Sequence, residues 1–374
     1  MSNNEMNLKW CTSCLTMSTR PRIEFDETGR CNACLWHERK KNLNWLDRHD
    51  ELLNLLNKFK NKNKNFDCIV PVSGGKDGSY VSYQLKNKYK INPLCVTVSP
   101  PLPTPLGEKN LKAFVECGFS HISINCPHET MRMINKIGFI EKGFPYYGWL
   151  IAIHTAVLRI SALMDIPLIF YGEDGEVEYG GSTETSKSPY LTLDYIKRVW
   201  LEDGDYEKLT QMLNLDQKDL YFFKFPDLSE FKTAPCITTW SYFENWDPYR
   251  NYLVAKQNCG LQELNESNID TFTNFAQNDQ YTYALHTYLM YLKFGFGRAN
   301  QDASIEIRRG AMDRNQAVNL VKLYDGNLPE ELIAIYLTYY KMSREEFNLI
   351  IDKWVNKKLF KKENNKWTPL FEIK

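Results

Sequence analysis

The chain of 374 residues is 43% hydrophobic and 25% charged, ordinary for a folded soluble protein and long enough for two domains and a small appendage. Its 46 basic residues balance 46 acidic ones, which leaves no global field to hold a polyanion such as tRNA or DNA. No uninterrupted apolar run approaches the ~20 residues of a bilayer span, and MSNNEMNLKWC lacks the basic and apolar segments of a secretory signal, so the expected location is the cytoplasm, with no membrane partner.

Residues 1–45 read as a separate module. Cys11 and Cys14, then Cys31 and Cys34 after a gap of sixteen residues, form two CxxC knuckles. Each knuckle presents two thiolates, and together they suit a tetrahedral zinc ion with Zn–S distances of ~2.3 Å. Four thiolates leave no open position for water, so the expected role of the zinc is structural: a module this small cannot build a sufficient core unaided. The competing readings are a redox or sulfur-relay dithiol, or no metal. Cys68, Cys95 and Cys126 sit inside apolar runs and read as small buried hydrophobes.

An amphipathic helical stretch, WLDRHDELLNLLNKF, leads to a polar linker at 60–65. Over residues 66–185 short apolar runs (FDCIVPV, PLCVTV, HISINC, IPLIFYG) alternate with longer amphipathic ones, the pattern of a parallel-sheet α/β domain. Such sheets bind ligands beyond the carboxyl ends of their strands.

FDCIVPV runs straight into Ser73-Gly74-Gly75-Lys76-Asp77-Gly78-Ser79 and an amphipathic helix. The glycines let backbone N–H groups approach phosphate oxygens at a helix N-terminus, where the dipole favours anions. Lys76 can neutralise a phosphate, and Asp77 suggests a Mg²⁺ ion bridging carboxylate and pyrophosphate. A plain tight turn accounts for the glycines but not for Lys76 beside Asp77. The loop is not a Walker A sequence. It resembles the SGGxDS signature of the PP-loop ATP pyrophosphatases, the adenine nucleotide alpha hydrolase-like group, whose members cleave ATP to AMP and pyrophosphate while adenylating a carbonyl-type oxygen. Gly78 departs from that signature and displaces the serine to Ser79, leaving open whether Ser73 or Ser79 supplies the phosphate hydroxyl.

The run Glu173-Asp174-Gly175-Glu176-Val177-Glu178 follows the last of these strands. Glu173 and Asp174, nearest the strand end, are the candidates for a second Mg²⁺ ligand or for hydrogen bonds to sugar hydroxyls; a solvated turn is the plainer alternative.

Residues 186–374 read as mostly helical, a substrate or partner domain. Ser343 and Glu346 form a capping box there. Arg298, Asp302, Glu306 and Arg309 share a helix face, suited to substrate contact or to a structural ion-pair ladder. His154 and His286, within apolar helices, and Cys236 read as packing residues.

Residues 237–247, 271–280 and 290–317 resemble the N-acetyl sugar amidotransferase family of the WbpG and PseA type, and the resemblance spans nearly the whole chain, including the cysteine pairs. It implies ATP-dependent conversion of a sugar acetamido group to acetamidino in bacterial surface glycans, on pseudaminic- or legionaminic-type acids for flagellin or on nucleotide-linked sugars for lipopolysaccharide. It also implies an ammonia supply. The chain has no GxCxG nucleophile elbow and residue 2 is Ser, so a separate glutaminase is the expected partner, and the resemblance implies that it is HisH-like, sometimes with a HisF-like channel protein. The rival reading is a tRNA-thiolating PP-loop enzyme, which the neutral charge disfavours.

Overall fold

The computed structural model describes residues 8–62, 65–202, 206–364 and 366–374. Residue 2 and part of the expected linker, residues 63 and 64, lie outside them.

Strand β1 (Cys68–Pro71) pairs in parallel with β2 (Pro93–Val98) on one side and β4 (Leu168–Tyr171) on the other; β2 continues to β3 (Ser120–Ile124). Both faces of β1, β2 and β4 are apolar, whereas β3, at the sheet edge, is buried only at Ile124. Ile69, Leu94, Val96 and Ile169 join one hydrophobic cluster, while their neighbours Cys68, Val70, Cys95, Leu168 and Phe170 join another on the opposite face. That two-residue alternation between two buried faces is what makes β1, β2 and β4 read as continuous apolar runs.

Helix Tyr147–Met164 covers the first face with Ile151, Ala152 and Ala156, all fully buried. By length and composition this helix is apolar enough to cross a membrane, but 67% of it is buried inside the fold, where it serves as core. Helices Trp45–Phe59 and Lys76–Tyr83 cover the other face.

The sheet is wider than residues 66–185. Two strands from beyond 185 complete it: β6 (Cys236–Thr239) pairs in parallel with β4, and β5 (Tyr190–Leu191) pairs antiparallel with β6, giving the order β3-β2-β1-β4-β6-β5. CITT is too short to display a period, so no alternation announced it. The remainder is helical, as expected, with a third core around Leu285, Leu289, Tyr336, Tyr340 and Phe347. Ser343 accepts from Glu346 N at 3.1 Å and opens helix Arg344–Trp354 with the expected capping box. A hairpin of Phe360–Glu363 and Lys366–Pro369 follows it.

The N-terminal module docks on two elements. Arg22 pairs with Glu176 at 2.7 Å, Lys40 with Glu178 at 2.6 Å, and Asn32 donates to Gly181 O at 2.7 Å. On its other side Asn300 donates to Leu15 O at 2.9 Å and Arg314 to Cys14 O at 2.7 Å.

Candidate functional site

Strand order reverses between β1 and β4, the place where open α/β sheets form a crevice. The loop after β1 lies there, and its geometry explains its glycines. Gly74 has φ +81°, and a Cβ on it would lie 2.4 Å from the backbone N of Leu111 in helix Pro105–Glu116. Only glycine fits such a position. Gly75 caps helix Lys76–Tyr83. At Gly78 a Cβ would meet Pro71 O at 2.8 Å, because the first helical turn sits directly on the end of β1. The departure from the SGGxDS pattern therefore has a steric cause. Ser73 lines the cavity in front of the loop, whereas Ser79 is fully buried, does not line it, and has a hydroxyl with no partner among the described residues.

That cavity holds about 350 Å³. Its wall joins residues 73–78 to Glu173 after β4, and to Asp279, Tyr283 and Arg298 from the C-terminal region. Lys76 pairs with its neighbour Asp77, which also accepts from Asn251 Nδ2 at 3.4 Å. Glu173, partly open to the cavity and otherwise enclosed, accepts from Tyr179 OH at 3.3 Å. Burial first, and the Asp77 charge second, push its carboxyl up to about 7, with Lys76 pulling the other way. Burial likewise raises Asp279 to about 6, against hydrogen bonds and the Lys76 charge. The cavity thus combines a cation, a carboxylate beside it and two carboxyls poised near neutrality, an inventory suited to binding polyphosphate and moving protons.

The structure separates residues that lie side by side in the acidic run. Asp174 turns away from the cavity, caps helix Gly175–Tyr179 through Glu176 N at 3.1 Å, and accepts from Thr185 and Tyr195. Glu176 and Glu178 hold the N-terminal module. Glu173 is the member that lines the cavity.

The helix Arg298–Arg309 also divides. Arg298 lines the cavity and pairs with Asp302 at 2.9 Å; Asp302 in turn accepts from Thr271 at 2.6 Å. Glu306 and Arg309 pair with each other at 2.8 Å, and Arg309 reaches Asp247 at 3.4 Å, beside a different cavity. Asp325, outside the expected set, accepts from Gly297 N at 2.7 Å and Ala299 N at 3.0 Å and so fixes the start of this helix.

His154 bonds Tyr171 OH at 3.1 Å and is held neutral by burial, its pKa lowered to about 3. His286 lies among Phe144 and Tyr146 and is lowered equally. Burial raises the Cys236 thiol to about 11, so it stays protonated. All three act as packing residues.

The four patterned cysteines converge. Cys11 Sγ lies 3.8 Å from Cys34 Sγ and Cys14 Sγ 3.7 Å from Cys31 Sγ, all are buried, and all four sulfurs lie within 4.8 Å of one another. A tetrahedral ion with ~2.3 Å metal–sulfur bonds has edges of about 3.8 Å, so the cluster has the size to hold one metal ion. Amides of Ser13, Cys14 and Cys31 point at Cys11 Sγ at 3.4, 3.5 and 3.2 Å. Arg308, at the far end of the helix that begins with Arg298, lies 3.7 Å from Cys14 Sγ and offsets the thiolate charge.

The elements that send Asp279, Tyr283 and Arg298 into the cavity have known counterparts. Residues 269–374 match the family described as LPS biosynthesis protein WbpG-like, C-terminal domain. The resemblance read from residues 271–280 and 290–317 is borne out there. A curated relative, the uncharacterized protein MJ1599 of Methanocaldococcus jannaschii, is 34% identical over 89 residues, 24% of this chain; the match spans about a third, 32%, of that protein's length. Among solved structures, the U34-tRNA thiolase NcsA of Methanococcus maripaludis with its [4Fe-4S] cluster is 15% identical at a TM-score of 0.31, covering 70% of this chain and 77% of that one. A predicted subunit of tRNA methyltransferase from Methanocaldococcus jannaschii is 17% identical at 0.27, covering 64% and 92%. Asp279, Tyr283, Asn251 and Asp325 were not singled out from sequence. Asp279 and Tyr283 lie in or beside the WbpG-like stretch 271–280, and the polar run Gln277-Asn278-Asp279-Gln280 before an apolar helix was the available signal.

Proposed function

We propose that the chain is an ATP-dependent N-acetyl sugar amidotransferase, forming AMP and pyrophosphate while it converts an acetamido group to acetamidino in the biosynthesis of a bacterial surface glycan. One observation carries this reading: the WbpG-like region contributes Asp279, Tyr283 and Arg298 to the same cavity as the 73–78 loop.

The chemistry needs both halves of that wall. An amide carbonyl is a poor electrophile because nitrogen donates into it. The carbonyl oxygen therefore attacks the α-phosphorus of ATP, the amide N–H proton leaves, and an O-adenylyl imidate and pyrophosphate form. Ammonia then adds to the imidate carbon, the C–O bond breaks, and AMP departs, leaving the amidine. In this scheme the loop amides and Lys76 hold the departing pyrophosphate. Asp77 and Glu173 are the carboxylates suited to a Mg²⁺ ion, which would neutralise charge on the phosphates. Asp279, raised toward neutrality, suits the proton transfers from the amide and from the attacking ammonia. The four cysteines take a structural Zn²⁺. Ammonia comes from a HisH-like glutaminase, with or without a HisF-like channel protein, and the work is done in the cytoplasm.

The test is mass spectrometry of a panel of N-acetylated nonulosonic acids and nucleotide-linked diacetamido sugars incubated with ATP, Mg²⁺ and ammonium. The reading predicts the mass decrease of exchanging C=O for C=NH, with AMP and pyrophosphate in equal amounts. An unchanged panel, together with thiolation of tRNA when a sulfur donor is supplied, sinks it.

A further inference from the structure

No described residue of the cysteine module lines the cavity in front of the 73–78 loop, yet each of its two knuckles holds one element of that cavity's wall. The first knuckle grips helix Arg298–Arg309. Leu15 O accepts from Asn300 Nδ2 at 2.9 Å, Leu15 N donates to Ser304 Oγ at 3.3 Å, and Arg308 lies 3.7 Å from Cys14 Sγ. Positions 300, 304 and 308 are spaced by four and so share one helix face. Arg298, at the other end of the same helix, lines the cavity.

The second knuckle grips the turn that follows Glu173. Gly180, at φ +91°, sits so close to it that a Cβ there would lie 3.1 Å from Asn32 Oδ1 and 3.3 Å from Cβ of Ala33, and Asn32 donates to Gly181 O at 2.7 Å. Helix Asn32–Lys41, which starts inside this knuckle, adds Lys40 and Trp36 on Glu178 at 2.6 and 2.8 Å. Among the described residues no hydrogen bond or ion pair runs from 173–181 straight to 298–309, so the module carries the connection. Within the module sulfur carries it. The contacts of Cys11 with Cys34 at 3.8 Å and of Cys14 with Cys31 at 3.7 Å both cross from one knuckle to the other. Beside them stand the Cys31 N–H, aimed at Cys11 Sγ, and Thr12, whose N–H and hydroxyl reach Gly29 O at 3.0 Å and Thr28 O at 3.2 Å. The buried apolar residues here are the cysteines themselves and Ala33, too small a core to hold two knuckles together without a ligand common to both.

We propose that a metal ion on Cys11, Cys14, Cys31 and Cys34 is a clasp for the cavity: it ties the helix that carries Arg298 to the turn that carries Glu173 and so fixes the spacing of those two side chains. Asn300, Ser304 and Lys40 are then positioning residues, which act on the cavity through the metal module without touching what the cavity binds. The clasp also works in reverse. Docking of the two wall elements holds the knuckles at the separation the ion needs, so metal affinity depends on contacts that lie outside the four cysteines.

The experiment uses the full chain with spin labels on ketone-bearing amino acids at two exposed positions, Thr183 beside the turn and Ala311 just past the helix; a second pair, at Asn87 and Lys112 in the sheet domain, is the reference. With zinc bound, the 183–311 distance distribution should be narrow. After chelation it should broaden while the 87–112 distribution holds. An unchanged 183–311 distribution overturns the proposal, and so does broadening of both pairs, which would make the metal a support for the whole fold. A second arm measures zinc affinity by competition with a chromophoric chelator. Asn300→Ala and Lys40→Met each sever one grip and alter no cysteine, and each should weaken zinc binding about tenfold. Arg159→Met, which breaks an ion pair with Glu230 outside the module, is the control and should bind zinc as the parent does. Parental affinity in both grip variants, an equal loss in the control, or a parent that takes up no zinc overturns the clasp. Neither arm contains a sugar or ammonia, so the clasp stands or falls apart from the amidotransfer reading.

Discussion

Gly74→Ala should cost the chain most of its affinity for Mg²⁺-ATP. The residue adopts φ +81°, and its missing Cβ would stand 2.4 Å from N and 2.6 Å from Cα of Leu111. The left-handed backbone alone costs an alanine ~1–2 kcal/mol. The steric overlap adds to this, because its partner is helical backbone that cannot swing aside as a side chain does. The loop and helix Pro105–Glu116 must separate, and the amides aimed at the phosphates lose their common focus. A combined loss of about 2–3 kcal/mol corresponds to a roughly 30- to 140-fold rise in Kd. Isothermal titration calorimetry with Mg²⁺-ATP measures it directly. Gly75→Ala is the control for folding: a Cβ there meets only Ser73 Oγ at 3.3 Å and the φ is not positive, so unfolding stability should stay within about 1 kcal/mol of the parent. If Gly74→Ala binds ATP within about threefold of the parent, the loop does not grip phosphates through the conformation that the glycine permits.

Lys76→Ala and Asp77→Ala should each abolish pyrophosphate release, and unchanged turnover in both would reject the roles given to them. Gly78→Ser, which restores the SGGxDS pattern, should destabilise the chain by about 1–3 kcal/mol because of the clash with Pro71 O, seen as a lowered denaturation midpoint; a neutral result would remove the steric account. The raised carboxyl of Glu173 has a pH consequence. Between its ordinary value of 4.5 and about 7 the folded chain holds a proton that the unfolded chain has lost, so stability falls as pH rises through that window, by on the order of 3 kcal/mol for this group. Glu173→Gln should flatten the fall between pH 5 and 8 in unfolding measurements, and parallel curves would show that Glu173 is not raised. Metal analysis of protein purified without chelator should find one zinc per chain, with Cys11, Cys14, Cys31 and Cys34 joining the other buried thiols, Cys68, Cys95 and Cys259, in becoming titratable only on denaturation; stoichiometric absence of zinc contradicts the structural-zinc assignment.

Chemistry written within a few neighbouring residues was legible. The two CxxC knuckles and the 73–79 loop each announced a site because spacing and residue type alone constrain what they can hold, and the buried strands announced themselves as apolar runs. Sites assembled from distant segments were not. Asp279 reaches the cavity because Gly107 lets its backbone approach helix Pro105–Glu116, where a Cβ would lie 2.5 Å from Cα of Asp279, and no local pattern encodes that meeting. The acidic run after β4 shows the opposite failure. Its carboxylates looked alike, yet one faces the cavity, one caps a helix and two bind the cysteine module, because backbone direction changes at each step of a short helical turn. Ion pairs on helix Arg298–Arg309 formed as its spacing implied, but only a structure could separate the end at the cavity from the end at the cysteines.

Isotope transfer tests the central claim most directly. With a substrate carrying ¹⁸O in its acetamido carbonyl, adenylation at that oxygen requires the label to end in the phosphate of AMP once ammonia has displaced it. Label recovered in AMP, with none in pyrophosphate, is the predicted result; label retained in the sugar, or recovered in inorganic phosphate alongside ADP, would contradict it.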